Sequence, residues 1–201
     1  FRPKDIVSGD FYWMEQVGDR VLFAAVDCTG HGVPGAFMSL IGHNGLNQAA
    51  KERGLSRPGE VLKELNRIAY EALHKDREQH LVRDGMDMAL CSYDPGSGIL
   101  EFAGANSPLY IVRGGEVLVF TPTKSAIGSL DLNGQAFAEH RIELKPDDMV
   151  YIFSDGYADQ FGGPKGKKFL YRRFRELLVE ISAQPAERQR RQLHDAFNAW
   201  R

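Results

Sequence analysis

The chain has 201 residues, 43% hydrophobic and 26% charged, the balance of an ordinary globular domain. This composition excludes a disordered tail, a collagen-like fibre and a disulfide mini-scaffold. Net charge is −2, but residues 165–201 hold ten Lys and Arg against four Asp and Glu, whereas the first 164 hold fifteen against twenty-three. The basic end reads first as a solvated face, with a surface for nucleic acid or an acidic partner as the alternative. The acidic body points to carboxylates gathered around something positive. The longest apolar run, Val21–Val26, has six residues, against the ~20 a membrane helix needs, and no signal peptide is evident. Cys28 and Cys91 give neither a disulfide framework nor zinc spacing, and read as reduced thiols of a cytoplasmic protein.

In chain order, Phe11-Tyr12-Trp13-Met14-Glu15 is aromatic-rich, Gly18-Asp19 supplies a turn and Val21–Val26 is a buried-strand run, so a hairpin is predicted. A glycine-rich loop, Asp27–Gly35, leads into a predicted helix from about Ala36 to Arg53. Phe37, Leu40, Ile41 and Asn44 recur there at helical spacing, while Gly42 and Gly45 weaken the pattern. Gly54 ends it. Ser56 reads as a cap near Pro58 for a second helix through about Lys75, with Val61, Leu62, Leu65, Ile68, Ala69 and Leu73 on its apolar face.

The period then changes. Met86–Tyr93, Leu100–Ala105, Leu109–Val112 and Val117–Phe120 are short and strand-like, punctuated by Pro95-Gly96-Ser97-Gly98 and Gly114-Gly115. Phe137–Leu144 and Met149–Phe153 read as two more strands joined by Lys145-Pro146-Asp147-Asp148. Helical pattern returns over Phe169–Ile181 and Ala186–Trp200. Hairpin-linked strands with helices gathered in pairs indicate antiparallel sheet and an α+β class, in one domain over residues 1–201.

Gly30-His31-Gly32-Val33-Pro34-Gly35 fits the G-x-G-x-x-G dinucleotide pattern after a strand and before a helix. That fingerprint needs a βαβ unit with an acid about 20 residues on. Glu52 has the spacing but falls in or at the end of the helix, and a second helix follows. A nucleotide-binding enzyme using Gly30–Gly35 therefore stays an alternative only.

The carboxylates are more informative. Asp10 stands at the mouth of the first strand, Asp27 at the end of the second and roughly opposite it, and Asp155 at the end of the last, before Gly156. Each lies beside small residues that let a ligand approach. Hard oxygen donors so placed suit Mg²⁺ or Mn²⁺, and without a cation between them they would repel one another. Asp before Gly at a strand end is also a common turn residue, which is the plainer reading of any one of the three. No Cys-x₅-Arg phosphate loop is present.

Four ordered motifs, Gly9-Asp10-Phe11-Tyr12, Asp27-x-x-Gly30-His31-Gly32, Gly104-Ala105-Asn106-x-Pro108 and Ser154-Asp155-Gly156, resemble the bacterial metal-dependent protein phosphatases of the SpoIIE and RsbU type. The resemblance runs from Pro3 to about Leu178. It implies an antiparallel β-sandwich of two central sheets flanked by pairs of α-helices, and hydrolysis of phosphoserine or phosphothreonine on a partner protein. Two Mn²⁺ or Mg²⁺ ions would hold a bridging hydroxide. Asp27 would bridge both ions, Asp10 and Asp155 would each hold one directly or through water, and Cys28 would lend its backbone carbonyl, its thiol being incidental. Such ions can clamp attacking water and phosphate together and lower the pKa of water toward 7, and their charge accounts for the acidic body.

The resemblance implies partners as well: a small phosphorylated regulatory protein of the anti-sigma-factor-antagonist kind as substrate and an opposing kinase, with no nucleic acid and no membrane contact by this stretch. Such domains are the output end of longer, sometimes membrane-anchored sensors. The helices at 36–53 and 58–75 are candidates for a regulatory and homodimer interface. The family's usual last strand, with Asp-Asp before an apolar run, has no counterpart; Asp195 and Asp147-Asp148 are poor substitutes. A chain truncated before its final metal-binding strand is therefore expected. A phosphate-clamping arginine is also missing near the N-terminus, Arg2 being the one early candidate. A phosphatase-like module that binds without catalysis is the second alternative.

Other residues carry two readings each. His31 is a proton donor or a loop-packing residue. Asp84 and Asp87 are turn or supporting residues, or a further metal ligand. Asn106 is a turn former first and a site residue second. Asp159 supports the loop after Asp155. His43, His74, His80, His140 and His194 show no ligand spacing.

Overall fold

The computed structural model describes residues 6–30, 32–73, 84–128 and 136–201. Arg2, His31, His74, Lys75 and His80 lie outside the described residues. The chain divides into two compact units, one running to Leu109 and taking in Phe120–Leu144 and Ile152–Ser154, the other formed by Tyr110–Val119, Lys145–Tyr151 and Asp155–Arg201.

In the first unit, β1 (Phe11–Val17) and β2 (Arg20–Cys28) form the predicted hairpin. β3 (Met86–Asp94), β4 (Ile99–Ala105) and β7 (Glu139–Glu143) complete a five-stranded sheet in the order β1-β2-β3-β4-β7, each pair antiparallel. The period of two divides its faces. Trp13, Leu22, Ala24, Val26, Met86, Met88 and Leu90 join one buried core with Met38 and Leu46 of α1 (Gly32–Asn47) and Val61, Leu62, Leu65 and Ala69 of α2 (Pro58–Leu73). Asp27 and Asp87 therefore point to the sheet face away from those helices.

α1 starts four residues before the predicted Ala36, because Pro34 falls in the first turn, where its missing N–H is not needed. Gly42 and Gly45, read as weaknesses, are the contact face of this helix. A Cβ on Gly42 would stand 2.6 Å from Met86 Sδ, and one on Gly45 2.5 Å from Leu65 Cδ1. The chain leaves α1 through a π-helical turn, Gln48–Glu52, which sequence periodicity does not signal. α2 then follows. The glycine loop therefore opens no βαβ unit, and Glu52 lies in that turn, which removes the structural context for the dinucleotide alternative. At the start of α2, Glu139 of β7 accepts a hydrogen bond from the Gly59 N–H (3.0 Å) and pairs with Arg57, placing a carboxylate where the helix dipole favours one.

In the second unit, β6 (Glu116–Phe120), β5 (Leu109–Arg113) and β8 (Met149–Tyr151) form a three-stranded sheet in that order. The strands expected at 137–144 and 149–153 are not a hairpin: β7 pairs with β4, and β8 pairs with β5. The intervening turn has a cause in Asp148. Its buried carboxylate accepts from the Arg113 guanidinium at 2.8 and 2.5 Å and from the Lys145 N–H at 2.8 Å, which fixes β8 beside β5. β8 stops at Tyr151, because its antiparallel partner there, Tyr110, is one residue from the start of β5. A short hairpin, β9 (Phe161–Gly162) and β10 (Lys167–Lys168), precedes α3 (Tyr171–Ile181) and α4 (Ala186–Trp200). Both helices match their predicted spans closely. Among the described residues no helix is long and apolar enough to cross a membrane.

Candidate functional site

β2 and β3 bring two carboxylates face to face. Asp27 pairs with Asp87 directly across the ladder, a relation in which Cβ atoms stand about 4.5–5.5 Å apart. Phe11 pairs with Val26, so Asp10, one residue before β1, stands at the level of Asp27, and the alternation puts it on the same face. Asp10, Asp27 and Asp87 thus form a row across three neighbouring strands. The hairpin pattern alone predicts Asp10 opposite Asp27. Asp87, a turn or supporting residue or a further metal ligand on sequence, joins the row through the β2–β3 register, which nothing local sets because two helices separate those strands.

The loop beside this row is closely packed backbone. A Cβ on Gly35 would lie 2.7 Å from the Gly30 carbonyl oxygen, and one on Gly9 3.0 Å from the same atom and 3.3 Å from the Cys28 carbonyl oxygen. Gly9, Gly30 and Gly35 thus meet at one point, which a side chain on either Gly9 or Gly35 would pry open. Thr29 closes the loop onto Gly85, its N–H donating to the Gly85 carbonyl at 2.9 Å and its hydroxyl accepting from the Gly85 N–H at 3.1 Å. The Ser8 hydroxyl accepts from the Asp10 N–H at 3.1 Å.

The electrostatics are those of concentrated negative charge. The Cys28 thiol is pushed up to about 12, first by burial and then by the nearby carboxylates of Asp10 and Asp27. The Cys28 side chain belongs to the buried core on the helix side of the sheet, the face opposite Asp27. The carboxylates of Asp10, Asp27 and Asp87 are oxygen donors, the kind that suit a hard divalent cation. Among the described residues, no three His, Cys, Asp or Glu side chains are already drawn together around one point.

Asn106 belongs to the same row. It lies between β4 and β5 with φ at +59°, a conformation that asparagine tolerates better than most residues. Its side-chain amide donates to Asp87 Oδ1 at 2.7 Å. It is thus a turn former and a site neighbour at once. Asp84 lies in the loop before β3.

Asp155 is in the second unit. It begins the 3₁₀ turn Asp155–Tyr157 instead of ending a strand, because β8 stops four residues earlier. The turn is anchored by Tyr157, whose ring packs at 5.5, 4.9 and 5.8 Å from those of Phe169, Phe174 and Phe197, and whose hydroxyl donates to the Leu193 carbonyl at 2.8 Å. Asp159 donates its N–H to the Asp155 carbonyl (2.9 Å) and pairs with Lys168 (2.5 Å). Of the histidines, His140 stacks on Phe102 and donates its Nε2–H to the Thr121 carbonyl at 2.9 Å, while His43 and His194 each contact an asparagine one turn on.

The sequence model of the Stage II sporulation protein E (SpoIIE) family matches residues 17–201. Among solved structures, the chain is similar to the SiaA-PP2C domain of Pseudomonas aeruginosa, at 30% identity and TM-score 0.87, over 98% of this chain and 76% of that one. It is also similar to the RsbU and RsbW domains of Rv1364c from Mycobacterium tuberculosis, at 24% identity and TM-score 0.75, over 98% and 52%. A third likeness is to the PP2C phosphatase domain and regulatory-domain fragment of SpoIIE from Bacillus subtilis, at 20% identity and TM-score 0.72, over 98% and 54%. The chain thus spans about three quarters of the first of these and about half of the other two. No curated protein sequence matches it. With the family matched over residues 17–201, and antiparallel sheets with four helices that fit a PP2C fold, the chain belongs to the SpoIIE family and is a phosphatase domain of the PP2C, or PPM, type.

Proposed function

We propose that this domain removes phosphate from phosphoserine or phosphothreonine on a small bacterial regulatory protein, in a reaction that depends on Mn²⁺ or Mg²⁺. The observation that carries the metal dependence is the row Asp10–Asp27–Asp87 on one sheet face, with Asp27 and Asp87 directly opposed. Like charges so placed are unfavourable unless a cation offsets them. Asp10, Asp27 and the Cys28 carbonyl would hold the metal in the first unit. Asp155 is proposed as a further ligand on its Ser154-Asp155-Gly156 motif. When bound, two such ions supply Lewis-acid chemistry: they lower the pKa of water toward 7 and offset phosphate charge.

The protein's own part is placement. Gly9, Gly30 and Gly35 let the backbone pack closely beside the Cys28 carbonyl, and Thr29 locks that loop to the start of β3. Neither thiol is suited to act as a nucleophile: Cys28 and Cys91 are buried, and burial raises the pKa of both. A regulatory partner of the anti-sigma-factor-antagonist kind is the substrate that the family resemblance suggests. The basic stretch at 165–201 offers charge for an acidic partner.

The test is phosphate release from a phosphoserine peptide and from a phosphorylated regulatory protein, with and without Mn²⁺. Release from the protein should fall as salt rises past ~0.1 M if the basic stretch recruits it. Mn²⁺ binding without any phosphate release would support the non-catalytic binding module instead.

A further inference from the structure

We infer that Asn106 is a positioning residue for the metal site, acting through Asp87: its side-chain amide fixes the carboxylate that faces Asp27. The inference rests on the reading that Asp10 and Asp27 hold a divalent cation. It concerns what keeps the opposite wall of that site in place.

Three observations converge on it. The Asn106 Nδ2 donates to Asp87 Oδ1 at 2.7 Å, a charge-assisted bond of the stronger kind. Asp87 is the direct cross-strand partner of Asp27, so a rotation of its carboxylate changes the charge that Asp27 and any bound cation experience. Asn106 itself is held firmly. Its N–H donates to the Thr123 carbonyl at 2.9 Å, the Ser107 N–H donates to the Ala105 carbonyl at 2.7 Å, and Met88 and Ala105 form isolated parallel bridges with Asn106 and Thr123.

The neighbouring glycine shows how tightly this corner is made. A Cβ on Gly104 would meet the Ser107 carbonyl oxygen at 2.4 Å and Pro122 Cβ at 2.8 Å. A side-chain donor on such a rigid corner transmits position rather than absorbing it. Partners of this kind, one step removed from a metal, commonly change affinity 10–100-fold when removed.

The left-handed backbone at Asn106 makes a clean test available. Glycine adopts φ near +59° without strain, so Asn106→Gly deletes the amide and leaves the turn. Mn²⁺ affinity is measured by calorimetry on wild type, Asn106→Gly, Asp87→Asn and the double variant, with thermal melts confirming folding. The expected result is about tenfold weaker Mn²⁺ binding in Asn106→Gly, weaker binding in Asp87→Asn, and a double variant no weaker than Asp87→Asn alone, because Asn106 acts only through that carboxylate. Unchanged Mn²⁺ affinity in a folded Asn106→Gly, or additive losses in the double variant, would overturn the inference while leaving the metal site standing. No Mn²⁺ binding by wild type would overturn both. Should Asn106→Gly fail to fold, Asp87→Asn decides: unchanged affinity there removes the group through which Asn106 is said to act.

Discussion

Asp27 and Asp87 face each other across β2 and β3 as direct partners in the antiparallel register, on the sheet face turned away from the helices. Two carboxylates so opposed repel one another, and a cation between them would offset that repulsion. Mn²⁺ at about a hundredfold excess over its Kd should stabilise the protein by about 2.7 kcal/mol, read as a rise in Tm. Asp27→Asn should lose most of that rise. An equal rise in the variant would place the cation elsewhere.

The glycines at the helix and loop contacts are predicted to resist alanine. In an open helix, Gly→Ala gains roughly 0.5–1 kcal/mol. At Gly35 the new Cβ meets backbone oxygen at 2.7 Å, which cannot move as a side-chain tip can. Gly35→Ala should therefore destabilise by about 1–3 kcal/mol, seen as a lower urea midpoint. Gly54→Ala leaves space untouched but forces a left-handed backbone, φ +67°, and should cost about 1 kcal/mol. A higher midpoint for Gly35→Ala would mean that the loop is looser than described.

Much of this fold is legible in the residues. The β1–β2 hairpin follows from Gly18-Asp19 between two apolar runs, and its register gives the Asp10–Asp27 relation without further help. What was not legible depends on long-range pairing. Asp87 meets Asp27 only because β3 returns to β2 after two helices, and β7 and β8 part company because Arg113 holds Asp148 on β5. The same holds for Gly42 and Gly45, which look like poor helix residues until Met86 and Leu65 are placed against them. Local pattern identified the elements, while contacts distant in sequence set their partners.

The Arg113–Asp148 pair predicts part of the acid limb of stability. Chiefly through its hydrogen bonds from the Arg113 guanidinium, the Asp148 carboxyl titrates below its ordinary value. A depressed folded pKa contributes stability that is present above the unfolded value, near 3.9, and is lost as pH falls through the folded one. Asp148→Asn should therefore lower stability at pH 7 and flatten the loss of stability below about pH 4. The buried, two-pronged geometry supports a cost of about 1.5–3 kcal/mol at neutral pH. Parallel pH–stability curves for the two proteins would contradict this account.

Cys28 should be chemically quiet. Its thiol, 3% exposed and pushed up to about 12, should react with iodoacetamide at pH 8 far more slowly than a free cysteine. Cys28→Ala removes the thiol but keeps the backbone carbonyl, so Mn²⁺ affinity should change little. A large loss of affinity in a folded Cys28→Ala would make the thiol itself a ligand.

The most direct test of the central claim is the rate of phosphate release from a phosphoserine peptide in Mn²⁺, in EDTA, and by Asp27→Asn in Mn²⁺. The account predicts release by wild type in Mn²⁺ only, with the other two rates lower by orders of magnitude while the variant stays folded. A rate that EDTA or Asp27→Asn leaves unchanged would contradict it.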